Sequence, residues 1–151
     1  MIAYQLSVFA EDKPGKLAHV TSVLAKAKIS IRATTISTSD TFGVISLIVD
    51  EPKRAEAALT DAGLTVHLKS VLAILIPDAP GGLDKLMQLL YAEGININNA
   101  YGFVLESGQK AVFVVDVEQL DKTEKLLEEK GFKTLDTEEL SAIEPIHYNK
   151  Q

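Results

Sequence analysis

The sequence predicts an α+β protein built from two tandem copies of one βαββαβ unit, each an antiparallel sheet with its helices on one face. Three observations predict it. Nine residues recur at one fixed offset of 66 positions. The same order of strand-like and helix-like patterns runs through both copies. And hydrophobic residues make up 46% of 151 residues, against 24% charged, a balance that can bury a core. The recurring residues are Asp12, Pro14, Gly15, Leu17, Leu24, Ile29, Ile31, Val49 and Asp50, answered by Asp78, Pro80, Gly81, Leu83, Leu90, Ile95, Ile97, Val115 and Asp116. After Asp50 the register slips. Gly63 answers Gly131 at an offset of 68, which places two extra residues before the second glycine.

The first copy opens with alternation. Ile2, Tyr4, Leu6 and Val8 share one face of a half-buried strand over 2–9. Asp-x-Pro-Gly then breaks the chain, and Leu17, Val20, Thr21 and Leu24 form one helical stripe. Residues 29–38 are rich in β-branched side chains and suit a strand. "SDTFG" reads as a turn, and 44–49 as another strand. Asp50 and its repeat Asp116 each end a strand and are expected to cap the helix that follows, and Pro52 lies in the first turn of the former's helix, where a missing N–H costs nothing. Ala55, Ala58, Leu59 and Ala62 form its stripe, and Gly63 suits the position that ends it. Residues 64–69 close the unit as a strand.

The second copy repeats the series: strand 71–76, a helix with Leu83, Leu86, Met87 and Leu90, strands 95–105 and 110–117, a helix over about 118–130, and strand 132–136. Right-handed βαβ crossovers place both helices of each unit on the same sheet face, a ferredoxin-like arrangement. The boundaries are 1–69, 70–137, and a tail over 138–151. "HLKSVLAILI" joins the units without a Gly- or Pro-rich linker, so they should be tightly coupled. "VLAILI" and "AVFVV" have no polar face, which predicts that both faces are covered, by the sister unit or a second chain.

Composition excludes several classes. The formal net charge of −6 argues against a phosphate-binding basic face, so no nucleic-acid partner is expected. There are no cysteines, hence no disulfide and no thiolate site. "MIAYQLSVFA" lacks a basic leader and no apolar run spans a bilayer, so a cytoplasmic protein with no membrane partner is expected. His19, His67 and His147 have no metal-ligand spacing, and neither a metal nor a cofactor is expected. No phosphate-binding loop or dinucleotide fingerprint occurs, and Phe113 is a lone aromatic that reads as core rather than as a base-stacking platform.

The Asp-x-Pro-Gly turn invites two readings. Asp12 and Asp78 can cap the following helices, Pro14 and Pro80 suit a first helical turn, and Gly15 and Gly81 let the backbone turn. The same place also gathers unpaired N–H groups and a partial positive charge, which suits a small carboxylate. An acidic or amide side chain nearby would take an ammonium group.

"EDKPGKLAHVTSVLAKAKISI" and "PDAPGGLDKLMQLLYAEGINI" both resemble the opening of an ACT domain: a strand, Asp-x-Pro-Gly-x-Leu, then a helix ending before Gly-Ile-Asn-Ile. The second copy matches throughout with Asp78, Pro80, Gly81, Leu83, Gly94, Ile95, Asn96 and Ile97. The first departs at Lys28 and Ser30. The resemblance covers about 1–137 and implies two regulatory units that bind an amino acid or another small ligand. Carried over, it implicates Asp12, Lys13, Pro14, Gly15, Lys16, Leu17 and Ser30 in the first copy. In the second it implicates Asp78, Ala79, Pro80, Gly81, Gly82, Leu83, Asn96 and Asn98. By strand alternation Asn96 and Asn98 share a face, and an amide both donates and accepts, as a zwitterion requires. The match to Gly-Ile-Asn-Ile favours the second turn. The expected function is non-enzymatic: a homodimeric regulatory protein that binds a small molecule, an amino acid first. The alternative is a non-catalytic subunit docking on a metabolic enzyme. An enzyme is disfavoured, because no nucleophile or acid–base pair is evident.

Overall fold

A computed structural model describes residues 1–11, 13–39 and 41–142. The chain divides into two compact units, Tyr4–Lys69 and Met1–Ala3 with the residues from Ser70 onward. In the first, β1 (Ala3–Glu11), α1 (Lys16–Lys26), β2 (Ile31–Ser39), β3 (Phe42–Val49), α2 (Pro52–Asp61) and the start of β4 follow in order. In the second, the rest of β4 (Thr65–Pro77) is followed by α3 (Gly82–Ala92), β5 (Ile97–Glu106), β6 (Lys110–Val117), α4 (Leu120–Glu129) and β7 (Lys133–Leu135). A short α5 (Thr137–Ser141) closes the described chain. The strand orders are β4-β1-β3-β2 and β7-β4-β6-β5. This is the ferredoxin-like βαββαβ pattern, present twice.

Each unit has its own core. In the first, Leu6, Val8, Ile45, Leu47 and Val49 of the sheet meet Val20 and Leu24 of α1 and Ala55 and Leu59 of α2. In the second, Leu72, Ile74, Val115 and Val117 meet Leu86, Leu90, Leu126 and Leu127. Burying side chains of this size stabilises by about 1.5–3 kcal/mol each. Val20, Leu24, Ala55, Leu59, Leu86 and Leu90 of the predicted helical stripes therefore face the sheets, whereas Thr21, Ala62 and Leu83, expected on the same stripes, sit at their edges and are exposed. Every one of α1–α4 ends alike. The third residue beyond the helix donates its N–H back to a carbonyl five positions earlier: Ile29 to Leu24, Leu64 to Leu59, Ile95 to Leu90 and Phe132 to Leu127. This Schellman closure puts Lys28, Gly63, Gly94 and Gly131 in the left-handed region.

The opposite pleat faces are also buried. Val71, Ala73, Val112 and Val114 have no exposed surface in the single chain. So the expectation that "VLAILI" and "AVFVV" are covered on both faces holds. β1 departs from the half-buried reading. Gln5 is 2% exposed and Ser7 8%, and the Gln5 amide donates to Ser7 Oγ at 3.2 Å. A buried polar pair must find hydrogen bonds, and two residues apart on one pleat face can supply one to each other.

Three further expectations are corrected. Asp50 and Asp116 are not helix caps: the cap residues of α2 and α4 are Glu51 and Gln119, neither of whose side chains accepts a capping bond from its helix. Asp50 Oδ1 accepts the Ser30 N–H at 3.0 Å instead, and the Asp50 N–H donates to the Ser30 carbonyl, tying the start of β2 to the end of β3. Nor are the two aspartates equivalent. Ile31 pairs with Val49 and Ile97 with Val117, so the extra two residues lie in the β5–β6 hairpin rather than after Asp116. Val115 and Asp116 thus correspond to Leu47 and Ile48, and their identity to Val49 and Asp50 at offset 66 is a coincidence of register. Finally, the tail reading from 138 gives way to α5. Asp136 Oδ1 accepts the Glu139 N–H at 2.8 Å while Glu139 Oε1 accepts the Asp136 N–H at 3.1 Å, a capping box, and Leu140 is buried. His147 lies outside the described residues.

Candidate functional site

The two Pro-Gly turns, Lys13 to Lys16 and Ala79 to Gly82, fold alike. Lys16 N–H donates to the Lys13 carbonyl at 3.4 Å, and Gly82 N–H to the Ala79 carbonyl at 3.0 Å. Gly15 and Gly81 have φ of 89° and 86° with ψ near zero. Those are the third residues of type II turns, where only glycine is unstrained and where proline suits the preceding place. Pro14 and Pro80 therefore precede the helices instead of starting them. Gly15 and Gly81 serve as the helix caps through their carbonyls, which accept the N–H of His19 and Lys85. Helix geometry leaves the N–H groups of Leu17 and Ala18, and of Leu83 and Asp84, at the open helix ends.

Around the first turn lies a cavity of about 520 Å³. Three chain segments line it: the end of β1 (Phe9, Ala10, Glu11), the turn and first helical residues (Lys13 to Lys16, with His19), and the α2–β4 connection (Ala62 to Thr65). Phe42, at the start of β3, completes the wall. Lys16 is half-buried and its ammonium lies over Gly43, where a Cβ would sit 2.8 Å from Nζ. The glycine is what gives that amine its place. Phe9 is oriented by an edge-to-face contact with His67, with ring centres 5.4 Å apart and planes at 88°. The arrangement sets the Lys16 ammonium and the open end of α1 beside the cavity, a setting that suits a carboxylate, and Glu11 lies at the cavity's edge.

The second turn is built differently where it matters. Asp78, expected to cap α3, accepts the Gly108 N–H at 2.7 Å, and its own N–H donates to the Gln109 carbonyl at 3.1 Å. The carboxylate clips the turn to the β5–β6 hairpin, because the αL glycine has already ended the need for a cap. Gly82 stands where the first copy has Lys16. A Cβ there would lie 2.3 Å from the Pro77 carbonyl oxygen. A negative carbonyl thus covers the first residue of α3. The cavity near this turn, about 360 Å³, lies on the other side, against Gly102, Phe103, Val104 and Phe113 of β5 and β6, and includes Asp78, Ala79 and Leu83. Phe113, expected as core, does pack on it, its ring lying over Gly102.

The other predicted residues stand apart from these cavities. Ser30 follows α1 and Asn96 follows α3, each at the far end of an 11-residue helix, about 16 Å from the turn of its own unit. Both are exposed. Asn98 is the extra residue of a β-bulge between Ile97 and Asn99, so simple alternation from Asn96 fails there. The first copy has the same bulge between Ile31 and Ala33. Asp12 lies outside the described residues. The sequence reading missed Phe42, Glu11 and the 62–65 connection as wall residues. An aromatic inside "SDTFG" was the one visible signal among them.

One titratable group off the site is strongly perturbed. Burial, and then the nearby Asp116 carboxylate, push the Tyr101 phenol well above its ordinary value near 10. Asn99 pairs with Asp116 in register, and Tyr101 follows two places on along the same face. Among the described residues, no group of acids and histidines is placed to hold a metal, and no helix is long and apolar enough to cross a membrane.

A family model described as an ACT domain pair matches residues 1–144. A solved structure of a protein from Bacteroides thetaiotaomicron is 37% identical, with a TM-score of 0.87, covering 94% of this chain and 97% of that one. The ligand-free regulatory subunit of aspartate kinase from Thermus thermophilus is similar at a TM-score of 0.59 and 17% identity, covering 87% and 97%. At that identity the likeness shows the fold alone. No curated protein matches the chain. ACT domains are regulatory ligand-binding domains, and a pair of them is a regulatory module, generally non-catalytic. Twin type II turns on twin βαββαβ units, matched over almost the whole length, place this chain in the ACT domain pair family.

Proposed function

We propose that this protein is a non-enzymatic regulator that binds a free amino acid at the first turn, within Lys13 to Leu17, and thereby shifts its association with a partner. The observation that carries the reading is the cavity beside that turn, with Lys16 over Gly43 and Glu11 at its edge. The α-carboxylate takes the Leu17 and Ala18 N–H groups and the Lys16 ammonium. The α-ammonium takes Glu11. Regulation follows only if the ligand binds one arrangement of the assembly more tightly than another.

Calorimetry with each standard amino acid tests this. At least one should bind, and Lys16→Ala should weaken it by about tenfold or more, as loss of one charge-assisted hydrogen bond does. Folded protein that takes up no amino acid at millimolar concentration would sink the proposal.

The expected partner is a second copy of this chain in a cytoplasmic homodimer. A docking role on a metabolic enzyme is supported by exposed Leu83 and Val104 beside the second cavity. The similar Thermus thermophilus protein is itself a regulatory subunit of aspartate kinase. Light scattering with and without the bound amino acid separates the two: a ligand-dependent change in mass of the pure protein supports self-association.

A further inference from the structure

β5 is an edge strand. Among the described residues its one ladder partner is β6, so its other side presents a row of open N–H and C=O groups. Proteins commonly blunt such an edge with lysine, proline or an inward charge. Residues 97–105 carry none of these. Ala100, Gly102 and Val104 share the pleat face that bears the helices, since they pair with Val115, Phe113 and Ala111. Val104 is 55% exposed, and Leu83 at the start of α3, also exposed, lines the second cavity with it. Gly102 has no side chain, and the half-buried Phe113 ring lies against its bare backbone. The first copy differs at each place. By pairing register Thr38 corresponds to Val104 and Ile36 to Gly102, and apart from Ile36 the outer strand β2 carries hydroxyl side chains from Thr34 to Ser39. The duplicated scaffold therefore does not require an apolar edge, and only the second copy has one.

We propose that the protein dimerises by antiparallel pairing of β5 with β5 of a second copy, about a two-fold axis at Gly102. The inference rests on the reading that the partner is a second copy of this chain, and it names the surface. Bulges at Asn98 and Leu105 leave 99–104 regular, and an axis at Gly102 pairs Ala100 to Val104 with the same stretch of the partner. Each Val104 then faces the partner's Ala100 and lies diagonal to the partner's Gly102, two small residues that leave room over the Phe113 ring. Two chains of net charge −6 meet here without opposing like charges, because the stretch has none. An enzyme partner would have to bring a matching strand, whereas β5 carries both halves of the match.

Sedimentation velocity of the full chain should show a dimer. Val104→Lys, at an exposed edge position, should raise its dissociation constant about tenfold or more while the circular dichroism spectrum stays unchanged. Ile36→Lys, on the outer strand of the first unit, should leave the dimer intact. The chain has no cysteine, so introduced thiols report on the pairing alone. The double variant Ala100→Cys with Val104→Cys should oxidise to a covalent dimer, because facing residues lie about 4.5–5.5 Å apart at Cα. Within one chain the two positions are about 13 Å apart along the strand and cannot bridge. Neither single variant should cross-link. Folded parent protein that stays monomeric at every concentration overturns both this surface and the homodimer. A parent dimer that Val104→Lys leaves intact, or that Ile36→Lys weakens as much, overturns the β5 surface while the homodimer stands. A dimer weakened by Val104→Lys whose double-cysteine variant forms no covalent dimer overturns the axis at Gly102.

Discussion

Lys28 is a residue in the wrong conformation for its type. Its φ is 60°, the sole positive value outside glycine among the described residues, while the second copy has Gly94 with φ of 69° at the corresponding helix end. The Schellman closure demands the left-handed region whichever residue is present. A side chain with a Cβ there costs about 1–2 kcal/mol. Glycine gives back about 0.4–1 kcal/mol of that through a freer unfolded chain. Lys28→Gly should therefore stabilise the protein by about 0.5–1 kcal/mol, seen as a higher urea midpoint at unchanged slope. A lower midpoint would show that the lysine makes a compensating contact. Tyr101 gives a second prediction at this scale. Its phenol titrates above its ordinary value in the folded state, because burial and Asp116 both oppose a phenolate. Its contribution is fully present below pH of about 10 and is lost as pH rises from there toward the folded value, since the unfolded chain releases the proton first. Tyr101→Phe should flatten the fall in stability between about pH 10 and 11 relative to the parent. Equal slopes in urea titrations at these pH values would refute the assignment.

At the scale of elements, what was legible followed from periodicity and what was not followed from pairing. The stripes Leu17–Val20–Leu24 and Leu86–Leu90 named the buried faces of α1 and α3, because a helix facing a sheet has no other way to bury them. The Pro-Gly pair named a turn, and glycine at Gly63 and Gly131 named two helix ends. The misplaced insertion came from trusting identities at Val115 and Asp116. A hairpin absorbs two residues silently, and only hydrogen-bond register shows where they went. The bulge at Asn98 was illegible for the same reason: an extra residue in one strand is defined by its partner strand. α5 was legible and overlooked. Asp136 and Glu139 stand at capping-box spacing directly before buried Leu140. The candidate site was legible in part. Lys13 to Leu17 were read from the motif, but Phe9, Phe42 and Leu64 come from three distant segments that only the fold brings together.

At the scale of the whole molecule, the proposed site is the first turn, while the second turn is clipped to its hairpin through Asp78, although the sequence match to Gly-Ile-Asn-Ile points to the second. Duplication supplies two helix ends with open N–H groups, and divergence has treated them in opposite ways. In the first unit Gly43 removes a side chain and Lys16 occupies the space. In the second, Gly82 removes the side chain from the helix, and the Pro77 carbonyl occupies the space. Asp78 is engaged with Gly108 as well, leaving its carboxylate committed to structure. Titration of the full chain should therefore saturate at about one ligand per chain, with a single class of site near the first turn. The reciprocal substitutions sharpen the point. Lys16→Gly, which makes the first turn like the second, should weaken binding by about tenfold or more while the protein still folds, since a half-buried surface lysine is not part of the core. Gly82→Lys should not create a second site. Its Cβ would meet the Pro77 oxygen at 2.3 Å, a backbone contact that cannot swing aside, so the expected outcome is lower stability without added binding. A stoichiometry of two in the parent protein, unchanged by Lys16→Gly, would place the ligand elsewhere and overturn the distinction between the turns.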